Sequence, residues 1–581
     1  MFSAQLSLSL CKIYDIMRRR LLFTIAILCA ITAFAQVPKH ELRAVWLTTV
    51  KNLDWPKTLA KTPAGIQKQK AELCTILDQL QRANVNTVLL QTRVRAAVIY
   101  PSDIEPWDVC MTGTHGKDPG YDALQFAIDE CHKRGMECHA WLCTLPVGKW
   151  DMAACKAIRK RLPHLIYKIG DEGFMRPESP ETADYLASIA REIVTRYDVD
   201  GIHLDYIRYP EQQPIRISAN EARANITRIV RAIHDAVKDV KPYVKMSCSP
   251  IGKHADLRRQ SSRGWNARDK VYQDAQEWMR TGLMDQLYPM MYFQGNNFYP
   301  FAVDWKEKEY GGTVAAGLGI YCLDRHEGNW SLREIQRQLN TTRQLGLGHA
   351  YFRSQFFTDN TKGVYDLVAN DIDRYPALVP VLRNKNENDN LNDNHNQCVS
   401  RFTRENRSLS TKGVGNYLIL SWEGDAPLYN VYASREQPVN TDDARNLIAI
   451  RLNKKQLVLE NTPLTRQMNY AVTAMDRFGN ERVLQQSGVV NTQTAFLPND
   501  GRTLVIDAHE LSNNDYFLIQ SLQGNTIATR KAYRSKSHRS HANIDSQRTI
   551  DIAAIPDGTY QLRSVNKKGV AHRIAFFIIK R

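Results

Sequence analysis

The stretch DGIHLDYIRYP, residues 200–210, combines an apolar strand pattern with residue types that suit acid–base chemistry. His203 and Asp205 alternate with Ile202 and Leu204. Because successive side chains of a strand point to opposite faces, His203 and Asp205 share one face. If that face points into a barrel, Asp205 lies at the rim. A carboxylate there can act as a nucleophile or stabilise a cationic transition state.

Acid–base chemistry on a substrate often uses two carboxyl groups, one that gives a proton and one that accepts a proton or stabilises charge. The sequence offers several acids in loops that follow predicted strands. Glu105 and Asp324 are the chosen candidates, and the alternatives are Asp103, Asp108 and Glu327. His139 is predicted to help in proton transfer, or to tune Asp205 by hydrogen bonding as His203 could. Asp285 begins a strand and should lie at the far end of the barrel.

Polar and aromatic residues also occur at the ends of other predicted strands, where a bound substrate could meet them. Aromatic rings offer apolar faces to a ligand but also fill cores, and arginines can bind a substrate or form internal ion pairs. The predicted substrate-binding residues are Trp46, Gln91, Arg93, Arg95, Trp141, His203, Tyr206, Arg208, Tyr288, Tyr292, Gln294 and Arg353. We expect no cofactor and no metal, since the chain has no CxxC pair and no nucleotide-binding glycine motif in a suitable context.

The elements that must position these residues alternate between strand and helix from about residue 40 to 380. Predicted strands are Arg43–Leu47, Thr87–Gln91, Glu137–Trp141, Gly201–Asp205, Lys245–Ser249, Gln286–Met291, Val314–Ile320 and Ala350–Phe352. Predicted helices are Gly65–Arg82, Tyr121–Arg134, Pro180–Tyr197, Asn220–Val240, Val271–Thr281 and Ser331–Leu345. Eight strands in a βα alternation predict an α/β fold, a (β/α)8 TIM barrel, with the active site at the C-terminal strand ends. A doubly wound open sheet is the alternative.

Several separated motifs in this region resemble the glycosyl hydrolase-like 10 family of bacterial proteins. They are ELRAVWLTT at 41–49, NVNTVLLQTRVRAAVIYPSDIEPW at 84–107, PGYDALQFAIDECHKRGMECHAWL at 119–142, DGIHLDYIRYP at 200–210 and DQLYPMMY at 285–292. The resemblance implies a TIM barrel that acts on carbohydrate, with peptidoglycan glycan strands as one candidate substrate. An alternative is a barrel that binds carbohydrate, or acts as a surface scaffold, without catalysis.

DGIHLDYIRYP is also similar to the DGxDxDxE motif of chitinase-like barrels. Asp200, Gly201 and Asp205 match that motif, whereas His203 replaces its first inner acid and Ile207 stands where its glutamate belongs. The departure argues against the chitinase mechanism. It favours an aspartate that is the nucleophile or the cation-stabilising carboxylate, with Asp200 as an anchor at the base of the strand.

The N-terminus has the pattern of a secretory signal peptide over residues 1–35. Arg18, Arg19 and Arg20 precede an apolar run that ends at Ala33-Phe34-Ala35, and the run is shorter than the roughly 20 residues that span a membrane. The signal fits better if translation starts at Met17. We therefore expect an exported protein of the periplasm, cell surface or extracellular space, without a membrane span. The signal contains Cys11 and Cys29, which leaves nine of 11 cysteines and at least one free thiol.

The composition is that of a globular protein, with 43% hydrophobic and 24% charged residues, and the 581 residues exceed one domain. Lys and Arg number 77 against 61 Asp and Glu, a net charge of +16. The charge is spread out, and together with export this argues against nucleic acid as a partner. An anionic or peptidoglycan-derived carbohydrate is the expected partner, and the sequence does not define an oligomeric state.

Three segments follow the predicted barrel at 37–383. Residues 384–398, rich in Asn and Asp, read as a linker. Residues 399–495 look like a fibronectin type III sandwich, with Trp422 in its core and Tyr470 as its corner tyrosine. Residues 496–581 are predicted to form a second β-sandwich, which resembles the sorting domains of type IX secretion substrates.

Overall fold

The chain forms two compact units in the computed structural model. Of the described residues, the first contains those from 37 to 382 together with 442–452 and 475–481, and the second contains those within 409–441, 453–474 and 482–579. The structure describes residues 37–213, 215–260, 264–382, 409–414, 416–486, 495–496, 503–507, 516–521, 526–531, 533–534, 547–556, 558–565 and 571–579. The predicted signal peptide and linker lie outside this range.

A closed barrel of eight parallel strands forms the core of the first unit and confirms the predicted fold. The strands are β1 (Arg43–Leu47), β2 (Thr87–Arg93), β3 (Glu137–Cys143), β4 (Gly201–Asp205), β5 (Lys245–Cys248), β6 (Gln286–Leu287), β7 (Thr313–Leu318) and β8 (Gly348–Tyr351). Each strand pairs with its neighbours in sequence, and β1 closes the barrel on β8. The C-terminal ends of all eight strands therefore lie at one end, where βα loops build active sites.

Helices connect the strands along the outside of the barrel. The helices of eight residues or more are Pro63–Arg82, Ala123–Lys133, Ala153–Arg161, Pro180–Arg196, Ala219–Lys238, Tyr299–Glu307 and Leu332–Gln344. Shorter ones are Val109–Thr112, Ala267–Lys270, Ala275–Thr281, Ser354–Thr358 and Val364–Leu367, with a π-turn at Val368–Ile372 and 3-10 turns at Val50–Asn52, Gly295–Asn297, Ile320–Leu323 and Thr361–Gly363. Leu73, Leu77 and Leu80 of the first helix are buried against the barrel, and each contributes about 1.5–3 kcal/mol.

Strand β4 has the alternation that its sequence predicts. Ile202 and Leu204 are buried in the layer between the sheet and the helices, while His203 and Asp205 face the barrel interior. Gly201 is required at its start, because a Cβ there would lie 2.5 Å from Nδ1 of His139 on β3. Close packing of these two strands therefore sets the register that places Asp205 beside Cys143.

The structure departs from the predicted elements at three places. The sixth strand is shorter than expected, because Pro289 has no N–H to donate, and Met290 makes only isolated bridges to Ile251 and Gly317. The helices Ala153–Arg161 and Tyr299–Glu307 were not predicted. Neither was a three-stranded antiparallel sheet between β3 and the helix Pro180–Arg196, formed by Pro146–Lys149, Ile166–Ile169 and Glu172–Met175.

The second unit is built from short antiparallel strands. One of its sheets contains Ser410–Val414, Tyr417–Ser421 and Gln456–Glu460. A second sheet contains Ala495–Phe496, Thr503–Asp507, Tyr533–Arg534 and Gln547–Asp551. A third contains Tyr516–Ser521, Thr526–Lys531, Gly558–Val565 and Ala571–Ile579. The remaining elements after the barrel are the strands Leu428–Ser434, Leu447–Leu452, Asn469–Met475 and Glu481–Gln486, the 3-10 turn Ala444–Asn446 and the short helix Pro463–Arg466.

The eight cysteines that the structure describes are all free thiols, and seven of them are buried. Most lie among apolar neighbours, as small hydrophobic residues do. No helix among the described residues combines the length and the apolar character needed to cross a membrane.

Candidate active site

Asp205 lies at the C-terminal end of β4, partly exposed, with its carboxylate held by three neutral donors. Its Oδ1 accepts hydrogen bonds from the Ser249 hydroxyl and from the backbone N–H of Tyr206, both at 2.8 Å. Its Oδ2 accepts one from the indole N–H of Trp141 at 3.2 Å. Among the described residues no basic side chain forms an ion pair with Asp205. The alternative of an interior acid paired with Arg93 or His203 is therefore wrong.

The main chain around Asp205 is fixed as firmly as its side chain. Thr144 donates to the Asp205 carbonyl from both its N–H and its hydroxyl, each at 2.9 Å. Tyr206 follows with a φ of 53°, a left-handed conformation that residues other than glycine seldom adopt. Such strain is concentrated at functional sites, and here the strained residue supplies one of the three donors to Asp205.

Four rings form the layer beneath Asp205, namely Trp46, Trp141, His203 and Tyr288. His203 is central, with ring centroids 6.0 Å from Trp46, 6.4 Å from Trp141 and 5.2 Å from Tyr288. Trp46, His203 and Tyr288 are almost fully buried, so the prediction that they contact substrate is corrected. They pack as the floor of the site, and only Trp141 reaches the Asp205 carboxylate.

His203 is a neutral hydrogen-bonding residue of this floor. Its Nε2 accepts from the indole N–H of Trp46 at 3.2 Å, which leaves its proton on Nδ1, 3.0 Å from the Ser247 hydroxyl. Burial, and then the charge of His139, hold the pKa of His203 well below its ordinary value. His203 therefore orients Trp46 and does not exchange protons with a substrate.

Three arginine–glutamate pairs surround the strand ends on the β2–β4 side: Arg93–Glu105, Arg95–Glu172 and Arg208–Glu211. Arg93 binds both Glu105 oxygens, at 2.7 and 2.8 Å, and Tyr185 donates to the same carboxylate. Both members of this pair are buried. The structure thus corrects Glu105 as the second acid and Arg93 as a substrate contact, because neither has a free face.

The other two pairs are closer to solvent. Arg95 lies 3.2 Å from Glu172, and its side chain is 39% exposed, so it can still meet a substrate. Arg208 stacks 3.8 Å above the Tyr206 ring and donates to Glu211 from Nε and Nη2, at 3.2 and 3.0 Å. Its buried Nη1 has no partner among the described residues. Burial alone would raise the pKa of Glu211, but the charge of Arg208 and the Tyr206 hydroxyl hold it below its ordinary value.

An aromatic cluster forms another part of the rim. Tyr292 stacks on Phe352 with centroids 5.2 Å apart, and its edge meets Tyr321 at 5.7 Å. Burial, followed by the charge of Asp205, keeps the pKa of Tyr292 well above its ordinary value. Within the part of the chain that the structure describes, its hydroxyl has no hydrogen-bond partner. Tyr292 stays a predicted substrate contact, with a neutral hydroxyl available as a donor.

His139 lies far below Asp205, which corrects its predicted role in proton transfer. Strand pairing places His139 opposite Gly201 and Cys143 opposite Asp205. His139 is thus four residues, about 13 Å, lower along the strands. Its Nε2 lies 3.0 Å from Glu137 at the base of the barrel.

The remaining predicted site residues have mostly structural partners. The side-chain oxygen of Gln91 accepts from the N–H groups of Thr49 and Val50, and Arg353 forms an ion pair with Asp54. These contacts hold both side chains in place, and both stay predicted substrate contacts. Asp324 caps the turn that follows it by accepting from the His326 N–H at 2.8 Å. Asp324 and the exposed Gln294 stay predictions, and Asp285 lies at the base, where it accepts from the Met246 N–H.

Sequence reasoning missed Ser249, Thr144 and Glu211. Ser249 directly follows β5, so the rule that polar residues at strand ends build the site would have found it. Glu211 is the residue directly after DGIHLDYIRYP. Its carboxylate contacts Arg208 and the Tyr206 hydroxyl because the chain turns at Tyr206, which the sequence pattern does not indicate.

One cluster of ligand-type atoms, Glu41, His349 and Asp373, lies at the base of the barrel, with the three atoms within 4.8 Å of one another. Arg43 and Arg343 already bind both carboxylates. Two guanidinium groups thus supply the positive charge that a metal ion would bring, and the arrangement is that of a buried ionic network.

The fold and the strand-end carboxylate define a class, a (β/α)8 barrel with an acid at the end where such barrels act. A family model described as Glycosyl hydrolase-like 10 matches residues 41–315. Glycosyl hydrolase YngK of Bacillus subtilis (strain 168) is 29% identical over 488 residues, which cover 76% of this chain and 92% of that protein. Glycosyl hydrolase DigH of Escherichia coli (strain K12) is 31% identical over 296 residues, 45% of this chain and 67% of that protein.

The chain belongs to the glycosyl hydrolase-like 10 family. Among solved structures, the PgaB (BpsB) glycoside hydrolase domain from Bordetella bronchiseptica covers 57% of this chain and 98% of its own, at 12% identity and a TM-score of 0.41. Family membership supports a function of the glycoside hydrolase type.

Proposed function

We propose that this protein is an exported glycoside hydrolase that cleaves O-glycosidic bonds in a polysaccharide or in the glycan strands of peptidoglycan. The observation that carries the proposal is the Asp205 carboxylate, which neutral donors orient at the catalytic end of the barrel without a cationic partner among the described residues. That arrangement suits a nucleophile or a carboxylate that stabilises an oxocarbenium ion. A general acid, by contrast, must be protonated so that it can give its proton to the leaving group.

The relatives' printed names support hydrolysis, and the family resemblance suggests peptidoglycan among the substrates. Export is supported by the signal-peptide pattern of residues 1–35. N-terminal sequencing of the mature protein tests it, with Gln36 expected as the first residue. We also propose a fibronectin type III-like domain at 399–495, supported by the buried Trp422 and by the Tyr470 hydroxyl, which donates to the Thr465 carbonyl as a corner tyrosine does.

A second candidate function is carbohydrate binding without hydrolysis. It is favoured by the state of Glu105, the predicted second acid in the loop after β2, which is locked into its ion pair with Arg93. Asp324 is the second carboxyl group that stays open to test. A barrel with Asp205 alone would hold a sugar without cleaving it.

The test is release of reducing ends from peptidoglycan glycan strands, chitin oligosaccharides and plant polysaccharides. We expect cleavage of at least one by the wild type, cleavage about 10³-fold slower by Asp205→Asn, and unchanged cleavage by Asp129→Asn on an outer helix. Binding without turnover by the wild type would favour the second candidate. Unchanged hydrolysis by Asp205→Asn would overturn the role of that residue.

A further inference from the structure

The segment between β3 and the helix Pro180–Arg196 forms a small subdomain at the catalytic end of the barrel. We call residues 146–176 the basic insertion. The helix Ala153–Arg161 lies between its first two strands in sequence, and Glu172–Met175 is the middle strand of the sheet, antiparallel to both others. Two contacts fix it beside the candidate site. The Phe174 ring lies 6.2 Å from the Tyr206 ring, and Glu172 pairs with Arg95.

The basic insertion carries more positive charge than its own acids can neutralise. It contains seven Lys and Arg against three Asp and Glu, a net charge of +4 in 31 residues. Its acids have partners already: Asp171 lies 3.0 Å from Lys149, Asp151 lies 4.0 Å from Lys156, and Glu172 is bound to Arg95 from outside the insertion. Five cations form no ion pair among the described residues, namely Arg159, Lys160, Arg161, Lys168 and Arg176.

Two of these cations contact the ring of Trp150. The Arg159 guanidinium lies 3.7 Å from the Trp150 ring centroid, and the Lys168 ammonium lies 5.6 Å from it. Arg159 also donates to the Trp150 carbonyl at 2.8 Å. Cation–π attraction stabilises each contact, but two like charges on one ring repel each other. A bound anion would relieve that repulsion, whereas a neutral sugar would not.

We propose that the basic insertion binds the acidic groups of a carboxylate-bearing glycan whose scissile bond lies at Asp205. The inference rests on the proposed function and makes it more specific, because the substrate is then an acidic polysaccharide and not a neutral one. The insertion contacts the acid-bearing part of the chain outside the reacting sugar. Its contribution is electrostatic, so it weakens as salt screens charges over the Debye length, about 8 Å at physiological ionic strength.

The test measures binding by the full chain carrying Asp205→Asn, so that a bound glycan is not cut. The probes are polygalacturonate, peptidoglycan glycan strands without stem peptides, and neutral chitohexaose. The variant is Lys160→Gln/Lys168→Gln/Arg161→Gln. Its control removes three exposed arginines elsewhere on the barrel unit, Arg82→Gln/Arg231→Gln/Arg374→Gln, with the same loss of charge. Melting temperatures of both triples should match the parent.

We expect the insertion triple to bind the acidic probes about tenfold more weakly, with a smaller salt dependence, and the control triple to bind them like the parent. Binding of chitohexaose should not change. The acidic probe that binds more tightly identifies the source of the carboxylate, a uronate or a lactyl group. The proposal is overturned if the parent binds neither acidic probe more tightly than chitohexaose, or if the two triples behave alike.

This result is separable from the proposed function. If no glycan is cleaved by the wild type but the insertion triple still loses acidic binding selectively, hydrolysis fails and the anionic site stands. If hydrolysis depends on Asp205 but acidic and reduced forms of the same glycan are cut at equal rates, hydrolysis stands and the anionic site fails.

Discussion

The two aspartates of DGIHLDYIRYP lie at opposite ends of β4 and have opposite surroundings. At the base, Asp200 accepts from the His132 ring at 2.8 Å and from the Cys138 N–H at 2.9 Å, and Arg451 binds its other oxygen. At the catalytic end, Asp205 has only neutral donors among the described residues. A carboxylate whose charge is neutralised locally serves the fold, while one that is oriented but not neutralised is available to a substrate.

The pKa values of the charged groups at the base of the barrel reflect this pairing. Burial alone would raise the pKa of Asp200, but the charge of Arg451 and the bond to His132 outweigh burial and hold the pKa far below its ordinary value. Burial would lower the pKa of His132, and Asp200 raises it instead. Glu137 behaves like Asp200: burial opposes its ionisation, yet Lys245, Arg451 and His139 lower its pKa to about 2. The base is thus a buried ionic network.

Replacing Asp205 with Asn should produce the largest effect on activity and sharpen this contrast. The amide keeps the shape but cannot act as a nucleophile or stabilise a cation, so kcat/KM should fall about 10³-fold, roughly 4 kcal/mol of transition-state stabilisation. Kinetics on the cleaved glycan measure this, and the melting temperature should change little. A large loss of stability in this variant would break the contrast, since it would give Asp205 a structural role.

Replacing Asp200 with Asn should have the reverse effect. Removing one partner of a buried ion pair leaves Arg451 buried without full compensation, which costs about 3–5 kcal/mol. Urea unfolding should show that loss of stability, while kcat/KM per folded molecule stays near the wild-type value. The comparison fails if Asp200→Asn unfolds at the wild-type urea concentration.

The fold could be predicted from the sequence because its signals are local. Seven of the eight strands have the expected bounds to within about two residues, since each is an apolar run between turn residues. The exception is β6, where Pro289 stops the ladder early. The three-stranded sheet of the basic insertion was missed because its strands have four residues each, too few for a clear period.

The site could be predicted only in part, because residue type does not give depth in the barrel. Asp205 and His139 both lie on inward faces of strands, but His139 pairs with the first residue of β4 and Asp205 is its last. That register depends on the shear of the whole barrel and on the contact between Gly201 and His139. Likewise, nothing local indicates that Arg93 turns to Glu105, because long side chains find partners through tertiary packing.

The donors to Asp205 can be tested with a pair of matched serine substitutions. Ser249→Ala removes the 2.8 Å bond to Oδ1 of Asp205. The value of kcat/KM should fall about tenfold, or ~1.4 kcal/mol, near the lower end of the roughly 1.5–3 kcal/mol that a hydrogen bond to a charged group contributes. Ser247→Ala removes the partner of His203 one layer lower. It should lower stability by about 1 kcal/mol and leave kcat/KM unchanged. Equal kinetic losses in both variants would remove the distinction between the carboxylate and the floor beneath it.

The smallest expected effect is a pH dependence of the free energy of unfolding that comes from the His132–Asp200 pair at the base of the barrel. The pKa of His132 is raised in the folded protein, so the pair with Asp200 stabilises the fold fully below the unfolded value near 6.5. That stability is lost as pH rises through the higher folded value, with a slope of at most about 1.4 kcal/mol per pH unit. Urea unfolding between pH 6 and 9 should show the decline. His132→Gln should flatten it, whereas His234→Gln on an outer helix should not. If His132→Gln keeps the wild-type slope of unfolding free energy against pH, the titrating group is not His132.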